Sequence, residues 1–244
     1  MYLPMHFLFK FLIITLFLSQ GKSAGLQFLS IPSSANDLIV FQSPWRNPAF
    51  LNAFGKSDEL SFAYGKWFGE TENLSFEWQG KLRSNSTGLK IRYVGINDLE
   101  LRGNVPSSEP IGYYGAYGVS SKATTSFTKG KINYGLAMQM ISMQIYQDAS
   151  SGFAFDFGIS WQATRKLNIA ASLLNFGKMN ELKNERPDLP VRLNSIATYK
   201  VNNGDIFFSF ETNELIDKPI FCMGSNFKID NIFFGATVMK NDNS

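Results

Sequence analysis

The chain has 244 residues, 23 Lys and Arg against 20 Asp and Glu for a formal net charge of +3, and one cysteine. The charges are scattered, which excludes a nucleic-acid stripe or a polybasic membrane patch, and a lone cysteine excludes an intrachain disulfide. Phe accounts for 23 residues and charged residues for only 18%, against roughly 25% in ordinary soluble domains, so a single aromatic-rich, charge-poor domain is expected.

The opening run MYLPMHFLFKFLIITLFLSQGKSA reads as a secretory signal peptide over residues 1–24, with cleavage after Gly21, Ser23 or Ala24. Its apolar stretch after Lys10 is shorter than the roughly 20 residues a membrane-spanning helix needs. His6 is the only histidine, so the mature chain has none. That removes Ser-His-Asp and Cys-His catalysis and the usual zinc sites. Cys222 sits in an alternating run and reads as a buried or lipid-side residue.

Residues 25–58 carry Pro32, Pro44 and Pro48 among clustered Ser and Asn, with no clean period, and are expected to be irregular. From residue 59 to 244, runs with a period of two follow one another between Gly, Asn, Asp and Lys, and no long helix interrupts them. The runs are 60–67, 74–80, 89–95, a Gly/Tyr-rich stretch at 112–119, 120–128, 131–147, 152–163, 167–177, 192–201, 205–212, 220–229 and 231–240, about eleven strands in all. Short connections at 163–166, 201–205 and 228–231 predict antiparallel hairpins and a meander. Residues 179–191 are charged and proline-bearing, and predict an exposed loop. In 131–147 the apolar residues change face after Met140, which predicts a β-bulge near Met140 and Ile141, or else a strand buried on both sides.

The run FAFDFGISWQ (153–162) states the central question. Phe153, Phe155, Phe157, Ile159 and Trp161 share one face, opposite Ala154, Asp156, Gly158, Ser160 and Gln162. The bulky face belongs either to the core of a soluble sandwich or to the lipid side of a transmembrane barrel. Abundant aromatics, scarce charge and a small or polar opposite face favour the barrel. The expected fold class is therefore all-β, an antiparallel up-and-down transmembrane β-barrel with an irregular N-terminal plug segment.

The segment SPWRNPAFLNAF, with Asn47, Pro48 and Ala49 just ahead of the first strand, resembles the PorV/PorQ family of outer-membrane proteins, which are similar to FadL-type barrels. GLQFLSIPSSA and LSFAYGKW are similar to the start and first strand of that family. The block SGFAFDFGISWQATRKLNIAASLLNFG followed by DLPVRLNSIATYKV resembles its later Phe-x-Asp-x-Gly strand, Asn-Phe/Leu-Gly turn and Leu-Pro strand. The resemblance runs from about Gly25 to Lys240. It implies an outer-membrane location, a plug built on Asn47, Pro48 and Ala49, and a role in type IX secretion, holding or shuttling exported cargo. Contact surfaces would be the loops near 103–111 and 179–190, and partners would be outer-membrane lipid, secretion components and secreted cargo. The family has about fourteen strands, so a polar ending at VMKNDNS implies a shortened or truncated barrel.

A second reading is FadL-like transport of hydrophobic small molecules, with a pocket lined by Phe28, Leu29, Trp45 and Phe50. A third is a soluble secreted β-sandwich that binds a partner. An enzyme is not expected. The carboxylate pairs Asp98 with Glu100 and Glu181 with Glu185 lie in or beside polar turns, and there is no phosphate loop or metal-ligand cluster, so no cofactor is expected.

Overall fold

The computed structural model describes residues 26–30, 33, 37, 42–52 and 58–241, except 68–69, 83–84, 104–107, 215 and 230–231. The signal-peptide expectation for residues 1–24 lies outside the described residues. Eleven strands form one antiparallel sheet in which every strand pairs with its neighbours in sequence. They are β1 (Glu59–Lys66), β2 (Glu72–Leu82), β3 (Asn85–Leu101), β4 (Gly112–Lys129), β5 (Ile132–Ile145), β6 (Asp148–Gln162), β7 (Leu167–Met179), β8 (Arg192–Val201), β9 (Gly204–Asn213), β10 (Ile216–Ile229) and β11 (Ile232–Asn241). The two runs at 112–119 and 120–128 are one strand, β4. Helical structure among the described residues is confined to the 3-10 turns Gln27–Leu29 and Pro48–Asn52, apart from single residues.

Burial along β6 decides which way the sheet faces. Phe153, Phe155, Phe157, Ile159 and Trp161 are 37–49% exposed, whereas Ala154 is fully buried and Asp156 and Ser160 are 1% exposed. The rings therefore point away from the protein, and the small and polar residues point into it. Among the described residues no second sheet packs on the rings, so they form no sandwich core.

The buried face is concave, and the described residues of the N-terminal segment, 26–30, 33, 37 and 42–52, lie against it. The indole N–H of Trp45 donates to Glu77 on β2 at 2.7 Å, while Arg46 reaches Glu211 on β9 at 3.7 Å. In a flat sheet β2 and β9 would lie about 34 Å apart, seven strand spacings. Two adjacent side chains bridge them only because the sheet curls around the segment. Among the described residues the fold is barrel-like but not closed: β1 pairs only with β2, and β11 only with β10. With an odd number of strands, the two free edges run in the same direction.

The bulge expected near Met140 and Ile141 is not there. β5 keeps an unbroken register with both β4 and β6. The change of face has another cause. Leu136, Met138 and Met140 point outward, and beyond them Ile141 and Met143 point inward to meet Leu26, Phe28, Val94, Met179 and Leu189 in an apolar cluster. Register shifts occur instead in the β3–β4, β6–β7 and β9–β10 pairs. Asn175, read as part of a turn, lies within β7 at φ 60°, where its N–H donates to Asp156.

Candidate functional site

Gly135 on β5 and Gly158 on β6 are directly opposed cross-strand partners. Both lie on the inner face, and together they leave a bare patch of backbone. The Asn47-Pro48-Ala49 turn lies on that patch. A Cβ on Gly135 would strike the backbone of Pro48 and Ala49, and one on Gly158 would strike the Asn47 side-chain oxygen. Glycine in a strand interior weakens the strand, and here it allows a close backbone approach. Gly118 receives the ring of Phe28 in the same way, and Gly88 lies against Trp45 and Leu51.

Asn47 holds the turn in place. Its Nδ2 donates to the carbonyls of Ile159 (3.2 Å) and Ala171 (3.0 Å), on the paired strands β6 and β7, and its Oδ1 accepts the Ala49 N–H (2.9 Å). Asn47 is 1% exposed, so these bonds replace water completely. Ser172 on β7 donates to the carbonyl of Arg46 at 2.7 Å, Arg92 on β3 to that of Phe28 at 2.5 Å, and Asn73 on β2 to that of Ser33 at 2.7 Å. Strand side chains thus satisfy the backbone of an irregular segment that has no ladder of its own.

The interior next to this turn is charged. Arg192 on β8 makes a two-pronged contact with Glu211 on β9, at 2.9 and 2.8 Å. Lys122 on β4 meets Asp156 on β6 at 2.6 Å, and Lys90 on β3 meets Glu77 at 2.7 Å and Asp37 at 3.4 Å. Lys90 also lies 5.4 Å from the centre of the Trp45 ring. Burial by itself raises the Asp37 pKa, but Lys90 and the Ser33 hydroxyl and N–H outweigh it and hold the carboxyl below its ordinary value of 3.8. Burial, followed by the Arg192 guanidinium, lowers the pKa of Arg46.

The residues expected to line an apolar pocket are distributed differently. Phe28 and Leu29 belong to the apolar cluster around Ile141 and Met143, and Phe50 packs with Ala170 and Ile196. Trp45 and Leu29 line a cavity of ≈ 70 Å³ that is mostly polar and charged. Cys222 is buried on the inner face beside Phe207.

The outer surface carries a continuous apolar band. On β6 it runs from Phe153 to Trp161, about 27 Å along the strand and about 20 Å in height at the tilt usual for a barrel strand. Aromatic residues stand at both margins. Phe127 and Tyr134 stack at 5.3 Å near the β4–β5 hairpin, with Trp161, Tyr199 and Phe227 exposed at the same margin. Tyr93 and Tyr117 stack at 6.2 Å toward the opposite margin, where Tyr64, Tyr146 and Phe176 are exposed. The hairpins beyond the first margin carry exposed Lys129, Lys131, Arg165, Lys166, Lys200 and Lys228.

No protein-family model matches the chain, and no curated protein matches it significantly. Among the described residues no group of three or more His, Cys, Asp or Glu is placed to hold a metal, and no helix is long and apolar enough to cross a membrane. Asp98 lies exposed at φ 58°, Glu100 pairs with Arg102 at 2.6 Å and Glu181 with Arg186 at 3.9 Å. Of the two loops expected to be contact surfaces, 103–111 is described only in part. The other is tied inward at one end, where Leu189 is buried and the carbonyl of Pro190 accepts from Asn175 at 3.0 Å.

The sequence reading missed the glycine patch and the interior ion pairs. Gly135 and Gly158 had a signal, as glycines at inward-facing positions of otherwise strong strands. The charges had one too: Lys90 and Arg92 alternate with Leu89, Ile91 and Tyr93, so a strand with its apolar face outward must bury both.

Proposed function

We propose that this chain is an outer-membrane protein of PorV/PorQ type, whose sheet turns its aromatic face to lipid and encloses the N-terminal segment around Asn47, Pro48 and Ala49 as a plug. The observation that carries the membrane reading is the inverted burial of β6, with five large apolar side chains outward and Ala154, Asp156 and Ser160 inward. In water such a band would be a very large exposed apolar surface. In a bilayer it matches the lipid-facing band of a β-barrel, and the two aromatic margins match its interfacial girdles. Basic hairpins beyond one girdle suit the headgroup region. The edges of β1 and β11 need hydrogen-bonding partners in lipid, because an unpaired backbone group there costs several kcal/mol.

The role in type IX secretion rests on the resemblance of the Asn-Pro-Ala segment and the strands that follow it. In this reading the plug stays fixed, and the loops at the long-loop end hold or pass exported cargo. The network around Asn47 supports a fixed plug, because it ties the segment to strands from β2 to β9.

Carbonate extraction and detergent fractionation of the expressed protein test the membrane reading, which fails if the mature chain stays soluble without detergent. Crosslinking and pull-down of secretion components, run alongside a fatty-acid uptake assay, test the secretion role. Uptake without captured secretion components would favour FadL-like transport instead.

A further inference from the structure

The cavity beside Trp45 and Arg46 is lined by five cationic side chains, Arg46, Lys90, Arg92, Lys122 and Arg192, and by a single carboxylate, Asp37. The other carboxylates that pair with these cations, Glu77, Asp156 and Glu211, are not part of its wall. The positive groups therefore share a common space while most of their counter-charges lie outside it. Two polar side chains on the wall have buried oxygens with no hydrogen-bond partner, the hydroxyl of Ser30 and the side-chain oxygen of Gln139. Gln139 is 3% exposed, so bulk water does not satisfy it. A half-turn of its terminal amide exchanges oxygen for NH2 and makes that buried position a donor.

We propose that this cavity binds a small oxyanion of the phosphate or sulfate type, held between the sheet cations and the donors of Ser30 and Gln139. At ≈ 70 Å³ the space accepts a tetrahedral ion or a few waters and is too small for an acyl chain, a sugar or a nucleotide. The wall's cations outnumber its one carboxylate, and an oxyanion offers them several charge-assisted acceptors at once. The wall combines residues of the N-terminal segment (Ser30, Arg46) with residues of β3, β4, β5 and β8. A bound oxyanion therefore fastens the segment to the sheet, and occupancy is linked to stability.

The test is a titration of the purified full chain in neutral detergent with inorganic phosphate, against chloride at matched ionic strength, read by calorimetry and by thermal melting. Phosphate is expected to bind saturably and raise the melting temperature, and chloride to do neither. Gln139→Leu removes the unpartnered amide while keeping similar bulk, so it is expected to fold and to weaken phosphate binding about tenfold. Asp37→Asn removes the wall's carboxylate and is expected to tighten it about tenfold, a modest share of one unit charge at ion-pair range. Lys131→Met, on an outer hairpin, is expected to leave binding unchanged. Phosphate and chloride acting alike, or saturable binding that neither Gln139→Leu nor Asp37→Asn alters, would overturn the proposal.

Discussion

Replacing Asn47 tests whether the N-terminal segment is held by specific bonds or merely fills space. Asn47→Ala removes two donated hydrogen bonds, to the carbonyls of Ile159 and Ala171, and one accepted from the Ala49 N–H. At about 1 kcal/mol net for each buried neutral bond, the loss is about 3 kcal/mol. Asn47→Asp separates the contributions. It keeps the size and the acceptor for Ala49 but sets an oxygen against two carbonyl oxygens, so it is expected to cost at least as much as the alanine. The assay is urea unfolding of the detergent-refolded protein followed by tryptophan fluorescence, with Trp67, Trp78 and Trp161 replaced by Phe so that Trp45, two residues from the change, reports the segment. If Asn47→Asp unfolds like the wild type, or Asn47→Ala costs less than about 0.5 kcal/mol, the bonds do not hold the turn and the reasoning is wrong.

Gly158→Val is expected to displace the Asn47 side chain and destabilise the protein by about 1–3 kcal/mol, the range for overpacking. Gly65→Ala, with no atom within 4 Å of the added carbon, is expected to have little effect in the same unfolding assay. Phe157→Arg is expected to cost about 2–4 kcal/mol in vesicles, as for a cation at the middle of a lipid-facing band. A loss no larger in vesicles than in urea-titrated detergent micelles would count against lipid contact at that position. Asp37 contributes stability above pH 3.8 that falls away as pH drops through its depressed pKa, because protonation removes the charge facing Lys90. Tryptophan fluorescence in acid should show that step with Trp45 as the sole tryptophan, and a step unchanged on adding Asp37→Asn would assign it to another group.

Much of the strand layout was legible because a period of two survives in nearly every run, and hairpins short enough to leave no alternative partner fix the meander. The direction of each face was harder to read, because alternation is the same whether the bulky side meets a core or lipid. On β6 the opposite face settled it: Ala154, Asp156 and Ser160 are too small and polar to need a core, and they are the buried ones. On β5 the same logic failed. The sequence shows that Ile141 and Met143 leave the outer face, but not that Leu26 and Phe28 wait for them inside. The site was hidden for a similar reason. That Gly135 faces Gly158 depends on register, and that Arg192 meets Glu211 depends on pairing between strands, neither of which a single run of residues records.

The bonds that seat the Asn47 turn join residues far apart in sequence, with separations of 112 and 124 residues for Asn47 and 126 for Arg46 with Ser172. During synthesis the segment emerges before β6 and β7 exist. Its carbonyls and amide groups stay hydrated until those strands arrive, and closing so long a loop carries an entropic cost that only the completed wall can offset. Capture of the turn is thus a late event in assembly. Protection of residues 42–52 from protease should therefore appear last in a refolding time course, which would make their burial a marker of a finished molecule.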